Sequence, residues 1–97
     1  MLTYDAAKSA EGTPFTLELD AGRSLPLVLA RVERHQQRDT ARPGESFSLI
    51  LKGTPGTLCP QGTYALTNIA LGTMNVFIVP IGDDRDSGEF IYQAIFS

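Results

Sequence analysis

Asp83, Asp84, Asp86 and Glu89 crowd into seven positions of the segment IVPIGDDRDSGEFIYQAIF, residues 78–96. A calcium loop built from such carboxylates needs oxygen ligands at alternate positions, a glycine at the sixth and a bidentate Glu at the twelfth. Counted from Asp84, Asp86 fits the third position, but Gly88 falls at the fifth and Ile95 at the twelfth. A glycosidase pair needs two carboxylates facing each other across a cleft, and these four share one short stretch between two apolar runs. Gly82 and Gly88 bracket the stretch, and Asp and Ser favour turns. The expectation is a charged hairpin tip whose charges discourage edge pairing of the apolar strands beside it, with weak cation binding as the alternative.

A Cys or Ser nucleophile needs a base within hydrogen-bond reach. Cys59 is the single cysteine and His35 the single histidine, so an enzyme could draw only on Cys59, His35 and Asp39. One His and one Cys do not make a zinc site of the usual kind. The stretch GTPGT, 53–57, lacks the Gly-Lys-Ser/Thr ending of a phosphate loop, and no G-x-G-x-x-G occurs. The sequence predicts no catalytic, cofactor-binding or metal-binding residue, and hence a protein that is not an enzyme.

Arg31, Arg34, Arg38 and Arg42, with His35 among them, would form a stripe if their segment were helical. Glu33 and Asp39 partly neutralise it, and it has no aromatic residue on which a base could stack. Formal net charge is −3, a field that repels phosphate. A solvated loop is expected, a docking patch for an acidic partner is the alternative, and no nucleic-acid partner is expected.

The elements that must position these residues are strands. FTLEL, 15–19, puts Phe15, Leu17 and Leu19 on one face. DAGRS, 20–24, turns through Gly22. LPLVLARVE, 25–33, sets Leu25, Leu27 and Leu29 against Val28, Ala30 and Val32, with its second half predicted to emerge into solvent and Pro26 at an edge or bulge. RHQQRDTARPGE, 34–45, reads as a loop. SFSLILKG, 46–53, points Phe47, Leu49 and Leu51 inward and Ser46, Ser48 and Lys52 outward. TPGTLCPQG, 54–62, is an irregular connection. TYALTNIALGTMNVFIVPIG, 63–82, reads as a hairpin turning at Gly72, and the apolar run from Val76 to Val79 predicts cover on both faces of its second strand. EFIYQAIF sends Phe90, Tyr92, Ala94 and Phe96 one way and Ile91, Gln93 and Ile95 the other. Thr3 caps a short helix that Gly12 stops.

Ninety-seven residues, 42% hydrophobic and 20% charged, fit one domain, taken as 1–97. The fold class is all-β: a small antiparallel barrel or sandwich of five to seven strands with one short N-terminal helix, the barrel end plugged by that helix. One cysteine excludes an internal disulfide. The opening MLTYDAAKSAEG has no basic head and apolar run, and VFIVPI, 76–81, is too short for a membrane helix. A cytoplasmic protein without a membrane partner is expected. The terminal strand carries apolar residues on both faces; its outer face is expected to be covered by the N-terminal segment or by another subunit.

SFSLILKG, CPQGTYALTNIALGTMNVFIVPIG and YQAIF together resemble an uncharacterised bacterial family of small domains. The likeness lies in Phe47–Gly53, Gln61–Leu66, Leu71–Gly72, Val79–Gly82 and Tyr92–Phe96, and GTPFTL extends it over nearly the whole chain. Here no Phe stands near residue 5, and DDRDSG is longer and more charged than the family pattern. The resemblance implies a domain of no established activity, often encoded near phage-tail-collar-like proteins. It implies a structural or protein-interaction module whose partner is a tail-like protein or further copies of itself, open to incorporation in a phage-derived particle. A small-ligand-binding barrel is the alternative, and an enzyme using Cys59 and His35 the second alternative.

Overall fold

The computed structural model describes residues 2–20, 22–34 and 46–96. One helix, α1 (Tyr4–Ser9), precedes six strands: β1 (Pro14–Asp20), β2 (Arg23–Arg34), β3 (Phe47–Gly53), β4 (Gly62–Asn68), β5 (Gly72–Asp83) and β6 (Phe90–Phe96). They close into a barrel in the order β1-β2-β3-β6-β5-β4, every neighbour antiparallel. The choice between barrel and sandwich is thereby decided.

Period-two patterning supplies the bore. Phe15, Leu17, Leu27, Leu29, Phe47, Leu49, Leu51, Leu66, Ile78 and Tyr92 point inward and are almost wholly buried. Burial of each large apolar side chain contributes about 1.5–3 kcal/mol. Together with Ala7, Leu25, Val32 and Ala94 these side chains form the core of the barrel.

Each rim is closed by the chain itself. At one, Thr3 caps α1 by accepting from the Ala6 N–H at 3.1 Å, and Ala7 is buried in the core. Tyr4 meets Phe47 edge-on at 6.1 Å, Phe47 stacks on Phe96 at 5.2 Å, and the Arg34 guanidinium lies 4.0 Å over the Tyr4 ring. At the other, residues 54–61 must join β3 to β4, which stand opposite one another in the ring. The connection therefore crosses the mouth. Tyr92 holds it there, accepting from the Cys59 N–H at 2.9 Å and donating to the Thr57 carbonyl at 3.3 Å.

Three expectations need correction. Val32 is buried rather than exposed, because the β2–β3 register passes from Leu29–Leu51 to Arg31–Ile50. Ala30 is an extra residue, and a bulge of this kind flips the phase of the residues after it. Ser48 lies on the outward side of β3 as expected, yet it is fully buried, with Ile50 beside it also buried; the Gln93 amide donates to the Ser48 hydroxyl at 3.3 Å. The outer face of β5 is open, with Phe77 51% and Ile81 50% exposed. Pro80 does sit at a bulge, where pairing jumps from Pro80–Tyr92 to Gly82–Ile91. Pro26 pairs with Thr16 just before the β2–β3 ladder begins at Leu27.

Where β1 has not yet begun, other groups pair the backbone of β2. Gly12 N–H donates to Leu29 O at 2.8 Å, Leu29 N–H to Thr13 O at 3.2 Å, and Val32 N–H to the Glu11 carboxylate at 2.7 Å. That last bond, with the Lys8 ammonium, holds the Glu11 carboxyl below its ordinary 4.5. Arg23 lowers Asp20, and Lys52 with the Asp86 N–H lowers Asp84, both from 3.8. A carboxyl depressed in the folded state contributes stability above its unfolded pKa, and that contribution is lost as pH falls through the folded value. The urea midpoint is expected to be level from neutral pH to about pH 5 and to fall below about 4.5, less steeply in Glu11→Gln. A midpoint unchanged down to about pH 3 contradicts this.

Candidate interaction surface

The acidic cluster lies where a hairpin tip was expected, between β5 and β6. Asp84 N–H donates to Glu89 O at 2.8 Å, Gly88 N–H to Asp84 O at 2.6 Å, and Asp86 N–H to the Asp84 carboxylate at 2.9 Å. Gly88 takes φ +77°, a region open to glycine at little cost. Asp84 is bound to Lys52 Nζ at 3.0 Å, tying the tip to β3. No group of three or more metal-ligating side chains is found among the described residues.

Arg31 and Arg34 project from β2, so no helical stripe includes them; Arg31 pairs with Glu33 at 2.9 Å. His35, Arg38, Asp39 and Arg42 lie outside the described residues. Cys59 is a buried free thiol within the 54–61 crossing. The Tyr64 hydroxyl donates to Pro60 O at 2.7 Å. The neighbouring Cys59 side chain, then burial, push the Tyr64 phenol up to about 12. Burial raises Tyr92 as well. Both phenols are thus neutral donors at physiological pH and serve the crossing as fasteners.

One expected feature remains as a surface. The outward residues of β6 are Ile91, Gln93 and Ile95. Ile78 pairs with Ala94, so the next outward residues, Phe77 and Ile95, stand side by side, 51% and 59% exposed. Val79 pairs with Gln93, and Ile81 bulges out beside Gly82. The apolar band is framed by Thr63, the cross-strand partner of Phe77, and by the Lys52–Asp84 pair. The helix does not cover it, being packed at the rim against β2 and Phe47. A contiguous apolar patch with a polar frame on a rigid wall is the anatomy of a protein contact. The exposed β5 half was missed in the sequence because an unbroken apolar run reads as a strand covered twice.

A family model described as a domain of unknown function, DUF6916, matches residues 2–96. This chain belongs to the DUF6916 family. No curated protein and no solved structure matches the chain. In this DUF6916 domain the residues that carried the resemblance serve the barrel: Phe47, Leu49, Leu66, Tyr92 and Ala94 line the bore, Gly72 makes a turn at φ +79°, and Pro80–Gly82 form the β5 bulge.

Proposed function

We propose that the DUF6916 domain is a non-enzymatic protein-interaction module that docks a partner protein on the outer face of β5 and β6. The observation that carries the reading is the adjacency of Phe77 and Ile95, each more than half exposed, on a wall whose two rims are already closed. The chain's chemistry-bearing side chains support it. The carboxylate cluster after β5 forms a turn, and of the arginine run Arg31 pairs with Glu33 and Arg34 stacks on Tyr4. The partner class comes from the family likeness: a tail-like protein of a phage-derived particle.

The test is affinity capture of the products encoded beside this chain, with light scattering to count copies. The wild-type protein is expected to retain a tail-like product, and the Phe77→Asp, Ile95→Asp double variant to lose at least about tenfold in affinity, on the order of 1.4 kcal/mol as expected from an interface core. Its melting temperature should stay close to that of the wild type, since both changed positions face outward. A strictly monomeric wild type that retains no partner, or a double variant that binds as well as wild type, overturns the proposal.

A further inference from the structure

The two rims are closed by different means. At the plugged rim Ala7 and Ala10 are buried, the rings of Tyr4, Phe47 and Phe96 pack together, and Glu11, Gly12 and Thr13 bond the backbone of β2. At the other rim the 54–61 crossing lies largely in solvent. Pro55, Gly56, Thr57, Leu58, Pro60 and Gln61 are exposed, and within the crossing only Cys59 is buried. Pro55 and Pro60 have no N–H to donate, and none of these residues belongs to a strand. Two phenols hold the backbone of the crossing to the barrel. The Tyr92 hydroxyl accepts from the Cys59 N–H and donates to Thr57 O, and the Tyr64 hydroxyl donates to Pro60 O. The Thr57 N–H bonds Thr54 O inside the crossing itself, a turn that the segment keeps wherever it lies.

One flank of the crossing also lacks packing. The β1–β2 pairing passes from Glu18–Ser24 to Asp20–Arg23, leaving Leu19 as an extra residue. Leu19, Leu25 and Tyr64 line a cleft of about 240 Å³ together with Leu58, Cys59 and Pro60 of the crossing. Open space on one side forfeits the dispersion contacts that neighbouring atoms would supply, and it leaves room to turn. The ring itself asks nothing of the crossing, since every strand has two strand neighbours without it. Proteins open first where buried apolar contacts are few and hydrogen bonds are near solvent, with the rest of the fold intact. The crossing meets both conditions and the α1 plug meets neither.

We propose that residues 54–61 are a strap that leaves the mouth of the barrel as one unit while the six-stranded ring and the α1 plug stay closed. Tyr92 on β6 and Tyr64 on β4 are its bolts. It swings between two fixed ends: Gly53, where an added side chain would run into Leu27 and Tyr92, and Gly62, the first residue of β4. Opening gives solvent access to the Cys59 thiol and the Tyr92 hydroxyl and widens the cleft along Leu19 and Leu25. The strap thereby sets access to the one end of the barrel that α1 does not fill. Neither Phe77 nor Ile95 takes part, so this device and the β5–β6 docking face stand or fail separately.

Cys59 is the single cysteine of the chain, so its thiol reports the opening. The experiment labels the full chain with a small aromatic disulfide at urea concentrations below the unfolding transition. The Cys59 thiolate attacks one sulfur of the reagent, a mixed disulfide forms, and a coloured aromatic thiolate leaves. Wild type is expected to label under these conditions at a rate nearly flat in urea, because opening the strap exposes little surface. Tyr92→Phe should label about 30-fold faster and Tyr64→Phe at least about threefold faster. Val32→Ala truncates a buried side chain of β2 next to the plugged rim; it lowers global stability but should label like wild type. Three results would each overturn the proposal: a labelling rate that climbs with urea as steeply as global unfolding, acceleration in Val32→Ala equal to that in Tyr92→Phe, or wild-type rates in both phenol variants.

Discussion

Asn68→Ala is expected to lower the unfolding free energy by about 3 kcal/mol and the melting temperature by about 12–20 °C. Asn68 is 3% exposed at the end of β4. Its amide nitrogen donates to the Thr13 hydroxyl and to Pro14 O, each at 3.1 Å. Its carbonyl oxygen accepts from the Ala70 and Leu71 N–H groups at 2.9 and 3.0 Å. One side chain thus folds the β4–β5 turn and ties it to the connection that leads from α1. The tie continues, because the Thr13 hydroxyl donates to Ala10 O at 2.6 Å. Each bond contributes about 1 kcal/mol net, and the loss grows where a buried partner is left unmatched. Asn68→Asp separates the two halves of the role: a carboxylate still accepts from the turn but has no proton for Pro14 O. Its loss of stability relative to wild type should be larger at about pH 7 than at about pH 4. Calorimetry across that range checks both variants, and a loss under about 1 kcal/mol in Asn68→Ala would show that water replaces the amide.

Tyr92→Phe is expected to cost about 2 kcal/mol, within the range for stranding a buried donor. The ring remains, so the bore keeps its packing between Leu51 and Pro80, the cross-strand partners of Tyr92. What disappears is the acceptor for the Cys59 N–H and the donor to Thr57 O. The effect should therefore be local before it is global. Amide exchange at Cys59 should quicken by about 30-fold, the factor that corresponds to about 2 kcal/mol, while amides of β2 and β3 change only with overall stability. Equal acceleration across the whole barrel would mean that the hydroxyl supports the fold at large and not the crossing in particular.

Much of the barrel was legible because its logic is local. Leu25, Leu27 and Leu29 alternate with polar or exposed neighbours, Phe90 to Phe96 do the same, and Thr3 marks the start of the helix by residue type alone, although the helix closes at Ala10 and not at Gly12. The acidic tip was legible for the same reason, since a failed ligand spacing and two glycines are visible within one short window. The misread positions depend on pairing between distant strands. Val32 turns inward because Ala30 is skipped by β3, and nothing in LARVE announces the skip. The band at Phe77 and Ile95 requires knowing that β5 lies beside β6 at one register. The cleft is further from the sequence still: it exists because Leu19 is skipped by β2 and because a connection much later in the chain runs past it. The bonds from Tyr92 to Thr57 and Cys59 likewise join positions that share no pattern.

Both outer ends of the described chain meet at the plugged rim, since β1 leaves it at Pro14 and β6 returns to it at Phe96. Anything tethered at Leu2 or Phe96 would hang the domain from that rim like a lamp from its cord. The mouth crossed by 54–61 would then face away from the attachment, with the exposed Leu58 in that crossing.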